Sequence, residues 1–249
     1  MRRQGAALPP TVGASRIAER GEGRTVVRVL LFGATGMVGQ GVLRECVLDP
    51  RVETVLAVGR SATGRRHRKL HELVTPDLGD LSGVRGELVG YDSCFFCLGV
   101  SSAGMSEAAY TRVTFDLTLA VARTVAESNP GMTFVYVSGQ GTDSSEHGRT
   151  MWARVKGGTE NALLALPLRT YLFRPGFIQP LHGIRSKTRL YRVAYALISP
   201  AFPLLRRAFP RHVTTTEQVG RAMIGVAASG WPRPVLETAD INDAAADLS

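Results

Sequence analysis

From Val26 to Phe32 the chain is almost continuously apolar, interrupted by Arg28, over a length that suits a strand buried on both faces. It then breaks into Gly33-Ala34-Thr35-Gly36-Met37-Val38-Gly39. Apolar residues at helical spacing run from about Val38 to Leu48 and stop before Asp49-Pro50, because the residue ahead of a proline is pushed out of the α region. Thr54-Val55-Leu56-Ala57-Val58 supplies a second strand. Further strand-length segments lie at residues 72–74, 93–99, 132–139 and 170–173, and a long helix is predicted from about Ser106 to Glu127, ended by Asn129-Pro130-Gly131. This alternation predicts an α/β fold, a doubly wound parallel sheet. Near the end, Thr214-Thr215-Thr216-Glu217 reads as a capping box with Thr214 as N-cap and Glu217 at N3, opening a helix to about Ala228. Residues 234–237 add an edge strand before a polar, acidic tail.

Composition narrows the class without changing the architecture. The 249 residues, 44% hydrophobic and 20% charged, fit one large α/β unit and exclude a disordered, collagen-like or disulfide-stapled chain. Residues 1–24 hold five arginines against two glutamates, with Pro9 and Pro10 and no apolar run, and are expected to be a disordered extension ahead of a domain over 25–249. The three cysteines, Cys46, Cys94 and Cys97, cannot all pair and lack metal-ligand spacing, so free thiols in the cytoplasm and no metal site are expected. Cys94 and Cys97 fall within a strand and not at a helix N-terminus, which favours buried thiols over a redox pair.

The glycine-rich turn carries the first chemistry. A strand, a turn spaced G-x-x-G-x-x-G, a helix and a second strand make a βαβ unit in which glycines permit the tight turn, close approach of a pyrophosphate, and close helix–strand packing. Dinucleotide binding is favoured over a purely structural turn. After the second strand, where an NAD site places an acid for the ribose 2′-hydroxyl, the chain has Gly59-Arg60-Ser61, then Arg65, Arg66, Arg68 and Lys69, with no acid between Thr54 and His71. NADP(H) is therefore expected ahead of NAD(H), with Arg60 on the 2′-phosphate. The other cations read as a solvated loop.

Taken with Asp77-Leu78, Leu98-Gly99, the Val135-Tyr136-Val137-Ser138 strand, Lys156 and Arg174-Pro175-Gly176, the glycine turn resembles the short-chain dehydrogenase/reductase superfamily in its atypical or extended, epimerase-like branch. The resemblance spans about Val27 to Leu236 and implies a Rossmann domain. It implies that Gly33, Thr35, Gly36, Met37, Val38 and Gly39 line the pyrophosphate, Asp77 and Leu78 the adenine, and Leu98 and Gly99 the nicotinamide half. Arg174 and Pro175 join the cofactor site, Ser138 holds the substrate oxygen and Lys156 the nicotinamide ribose.

The family's general acid is a Tyr four residues before that Lys, and here the position is Trp152, whose indole N–H donates but does not ionise near neutral pH. Thr114 likewise stands where the family often has Asn. Ser138, Asp143, His147 and Tyr110 lie in the same loops, and His147, in a Ser-Ser-Glu-His-Gly loop, reads as a solvated residue. Two functions stay open: an oxidoreductase or epimerase-like enzyme acting on a carbonyl or alcohol, or a catalytically degenerate NADP(H)-binding protein of regulatory or membrane-surface role.

The strongest charge asymmetry comes last. Between Glu160 and Glu217 nine cations face no anion, and Arg192 and Arg206 bracket thirteen uncharged residues. A bilayer span needs about 20, so a transmembrane helix is excluded on length. A helical lobe at about 180–212 that closes over the crevice is favoured, with Arg185, Lys187 and Arg189 meeting an anionic small-molecule substrate. The alternative is peripheral membrane contact through 191–207. Nucleic acid is not expected, because no recognition motif accompanies the +9 charge, and the oligomeric state is left open.

Overall fold

A computed structural model describes residues 26–184 and 211–246. In chain order it contains β1 (Val27–Phe32), α1 (Met37–Leu48), β2 (Val52–Gly59), β3 (Leu70–Val74), β4 (Ser93–Phe96), α2 (Glu107–Thr111), α3 (Leu117–Ser128), β5 (Thr133–Val137), α4 (Met151–Leu164) and β6 (Arg169–Arg174). Two short strands, β7 (Phe177–Gln179) and β8 (Val213–Thr215), are followed by α5 (Thr216–Ser229), β9 (Val235–Glu237) and α6 (Thr238–Ala246). The described strands form a seven-stranded sheet in the order β3-β2-β1-β4-β5-β6-β9 and a small pair, β7-β8. Every pairing is parallel.

Burial on both faces explains why β1 reads as a continuous apolar run. Val29 and Leu31 point into a core shared with α1, α5 and α6, whereas Leu30 and Phe32 point into a second core that includes Leu119, Val121 and Val125 of α3 and Leu163 of α4. Phe32, Phe96 and Phe134 stack across β1, β4 and β5 with ring centroids 5.9 Å apart, tying the central strands on that second face. On the first face α1 and α5 approach closely at two glycines. A Cβ on Gly41 would lie 2.5 Å from Thr216 Cβ, and one on Gly220 would lie 2.8 Å from Glu45 Cγ.

Three expectations change at the level of elements. The helix predicted from Ser106 is interrupted by a wider π turn over Arg112–Asp116 that contains Thr114. The capping position is Thr215, the last residue of β8, whose Oγ1 accepts from the Gln218 amide at 3.0 Å, while Thr214 pairs within β8 opposite Ile178. The polar tail is α6, which buries Ile241, Ala244 and Ala245. The predicted edge strand forms as β9, pairing with β6. The extension at 1–24 and most of the basic lobe, residues 185–210, with both readings of its arginines and of 191–207, fall outside the described residues. Among the described residues no helix is long and apolar enough to cross a membrane.

Candidate functional site

The turn after β1 is built by glycines that admit no side chain. Gly33 has φ +84°, and a Cβ there would lie 2.7 Å from the carbonyl group of Cys97. Gly39 sits against the same turn, where a Cβ would come within 2.1 Å of the Gly33 carbonyl oxygen. Gly36 donates its N–H to that oxygen at 2.9 Å and is the N-cap of α1. No side chain caps α1 and no acid occupies its first turn, so its leading N–H groups and positive dipole are not offset by a side chain. Thr35, Met37 and Val38 are half-buried there.

That turn opens into a shallow cleft running from Gly33 and Thr35 past the end of β2 to Leu98 beyond β4. Arg60 and Ser61 form its outer wall and Leu78 part of its floor. Asp77 is exposed and its carboxylate accepts from the Gly79 amide at 2.7 Å, which shapes the turn that presents Leu78. Gly99 is exposed, with open space where a side chain would stand. A cleft lined by Gly33, Ala34 and Thr35 of the glycine turn and by the Arg60 cation offers groups that suit a phosphate-bearing ligand. One acid, just beyond the acid-free stretch from Thr54 to His71, also lines the cleft. Glu72 reaches it from β3, paired in register with Ala57 of β2, and its Oε1 accepts from the Thr63 amide at 2.6 Å.

The ends of β5 and β6 are organised differently. Glu160 of α4 is buried and takes Arg174 through both carboxylate oxygens, with Nε at 3.1 and 3.2 Å and Nη2 closer still. Arg174 also donates to Ser144 Oγ at 2.5 Å and lies 3.6 Å from Glu237. The hydrogen bond to Glu160 holds the guanidinium protonated beyond its ordinary range, while burial pushes the Glu237 carboxyl up. Ser138 gives its hydroxyl to the same Glu160 at 2.5 Å and to the Phe173 carbonyl at 3.3 Å, so this hydroxyl is turned inward to the network. Arg174 and Pro175 belong here as well: Pro175 O accepts from the Gln140 amide at 3.0 Å, and neither residue lines the cleft from Gly33 to Leu98.

Lys156, one helical turn before Glu160, donates to the Ser138 carbonyl. Burial lowers its pKa from 10.5 to about 8, with Glu160 opposing the fall. Trp152 is half-buried, and its ring edge comes 3.5 Å from where a Cβ would stand on Gly141, a residue at φ +83°. The loop that precedes α4 is clamped to it, since a Cβ on Gly157 would lie 1.7 Å from the Asp143 carbonyl oxygen. Burial pushes the phenols of Tyr110 and Tyr136 up, and it does the same to the thiols of Cys46, Cys94 and Cys97. Asp143 is held below its usual range by Ser145 and Gly148, and His147 is exposed on the same loop.

No family model matches the chain. Among curated proteins, "Protein fmp52, mitochondrial" of Emericella nidulans is 29% identical over 172 residues, 66% of this chain and 71% of that one. "Protein FMP52, mitochondrial" of Meyerozyma guilliermondii is 26% identical over 209 residues, 80% of this chain and 84% of that one. Among solved structures, a UDP-N-acetylglucosamine 4-epimerase from Methanobrevibacter ruminantium aligns with TM-score 0.63 at 15% identity, covering 85% of this chain and 76% of that one. A short chain dehydrogenase family protein from Francisella tularensis gives 0.55 at 13%, with 82% and 92% covered. The Bordetella bronchiseptica enzyme WbmF, in complex with NAD+, gives 0.59 at 15%, with 89% and 78% covered.

The chain has a Rossmann-like α/β fold, which it shares with these solved structures. Within that fold the glycine turn, Arg60 and Leu98 sit around one cleft, while Ser138, Lys156, Arg174 and Pro175 gather at the neighbouring strand ends. One expectation is overturned: the curated relatives are named as mitochondrial, against a cytoplasmic location. Free thiols call for a reducing compartment and do not single out the cytoplasm.

Proposed function

We propose that this protein binds a nicotinamide dinucleotide in the cleft between the glycine turn and Leu98, NADP(H) ahead of NAD(H), and acts as an oxidoreductase on a small carbonyl or alcohol. The observation that carries the reading is the cleft itself, lined by Gly33, Ala34 and Thr35 of the glycine turn just ahead of α1 and by Arg60 beyond β2. Gly33, Thr35, Gly36, Met37, Val38 and Gly39 form the pyrophosphate cradle, Arg60 meets the 2′-phosphate, Asp77 and Leu78 shape the adenine end, and Leu98 and Gly99 border the nicotinamide end. Lys156 orients the adjoining ribose, its ammonium steered by the Ser138 carbonyl. When bound, the cofactor supplies the hydride exchange. That a similarly folded protein is a complex with NAD+ supports the choice of ligand class.

A second reading is favoured by one pair of observations: residue 152 is an indole, and the Ser138 hydroxyl is given to Glu160. On that reading the protein binds the nucleotide and responds to it without turning over a substrate. Titration with NADPH and NADH at matched salt tests the shared nucleotide site. Trp152→Tyr then separates the two, using NADPH oxidation with nitrobenzaldehyde as probe. Reduction by the natural chain identifies an enzyme with a different proton donor, whereas reduction that appears only in the variant identifies a degenerate member.

A further inference from the structure

Parallel pairing of β2 and β3 brings an acid into the cleft that Arg60 and the glycine turn also line. Glu72 stands in register with Ala57, and both residues line the cleft together with Arg60, Ser61 and Thr63. Its partner is the Thr63 amide, 2.6 Å from Oε1. A backbone N–H satisfies one oxygen of a carboxylate without cancelling its charge, and a carboxylate has about four lone-pair sites to fill. This bond also pins the Ser61–Thr63 stretch to β3, directly after Arg60. One wall of the cleft thus presents a cation and an anion within a short run of chain.

We propose that Glu72 is a specificity-determining residue of this cleft, its carboxylate opposing a 2′-phosphate and holding the preference for NADP(H) below the level that Arg60 alone would set. The inference rests on the dinucleotide reading above. Two like charges on one exposed wall repel through a high-dielectric medium, so the effect is modest and screened by salt. A ribose 2′-hydroxyl, by contrast, donates to a carboxylate, so the same group favours the cofactor that lacks the phosphate. Arg60 and Glu72 together make the cleft less selective than its arginine suggests.

The test is a calorimetric titration of the full chain with NADPH and with NADH, comparing the native protein, Glu72→Gln and Glu72→Ala. Glu72→Gln keeps an oxygen for the Thr63 amide and removes the charge. It is expected to raise the NADPH-to-NADH affinity ratio about fivefold, with the gain shrinking as salt is raised. An unchanged or lower ratio in Glu72→Gln, with NADPH still bound, overturns the proposal and leaves the dinucleotide site standing. A ratio that moves only in Glu72→Ala overturns it too, because the residue then acts through the loop it anchors. Failure of the native chain to bind either cofactor removes the dinucleotide reading and this inference with it.

Discussion

At the ends of β1, β2 and β4 the groups border open space: the start of α1 carries no side-chain cap, and an exposed Arg60 lines a cleft that begins at the glycine turn. At the ends of β5 and β6 the polar groups face one another: Ser138, Glu160, Arg174 and Ser144 are joined, and Lys156 is bonded to the Ser138 carbonyl. The same crevice edge of one sheet therefore holds a half whose residues line an open cleft and a half whose hydrogen-bonding capacity is largely spent internally. A satisfied buried network rigidifies its surroundings, whereas unspent donors beside a cleft are the mark of a binding surface. Nucleotide binding is accordingly better supported by the geometry than the chemistry that follows it.

The largest effect is expected from breaking the satisfied half. Arg174→Ala leaves the Glu160 carboxylate buried without its cation and should cost about 3 to 5 kcal/mol in urea unfolding, while Glu160→Gln combined with Arg174→Met should restore part of that loss. In the open half, Gly39→Ala forces a methyl to within 2.1 Å of the Gly33 carbonyl and should cost about 3 kcal/mol or more, with cofactor binding lost at the same time. If Gly39→Ala unfolds normally and still binds, the turn is not the rigid cradle described.

A pH series separates the halves in another way. Lys156 is held at about 8, below its ordinary 10.5, so between those values the unfolded chain binds more protons than the folded one. Stability should then rise as pH climbs through that window, by on the order of 2 to 3 kcal/mol, and the burden of the buried ammonium should be fully present below it. Lys156→Met should flatten this limb in denaturation curves; an unchanged limb would place its origin elsewhere. A smaller effect belongs to the exposed cation: Arg60→Ala should weaken NADPH binding roughly tenfold and leave NADH nearly unaffected, as read by cofactor fluorescence.

Much of the open half was legible in the chain. A βαβ unit announces itself locally, since the apolar run of β1, the glycines at 33, 36 and 39 and the Asp49-Pro50 stop all lie within one short segment. What escaped was set by long-range pairing. Glu72 lies one residue past the stretch searched for an acid and becomes part of the cleft through its register with Ala57. Glu160 stands four residues after Lys156 with nothing in its own helix to mark it, and becomes a buried anchor because β6 places Arg174 beside it. Its signal was the arginine at the strand end, which the family pattern assigned to cofactor. Thr214 and Thr215 were separated by one residue of register, decided by a three-residue strand too short to show in the pattern. The π turn at Arg112–Asp116 left no trace in the apolar spacing of the helix.

The most direct test of the account is calorimetric titration of the full chain with NADPH and NADH at matched salt, repeated with Arg60→Ala. Saturable binding of both, tighter for NADPH and with that advantage removed by Arg60→Ala, is the predicted result. Absence of binding by either cofactor would contradict the central claim and leave the glycine turn as packing between β1 and α1.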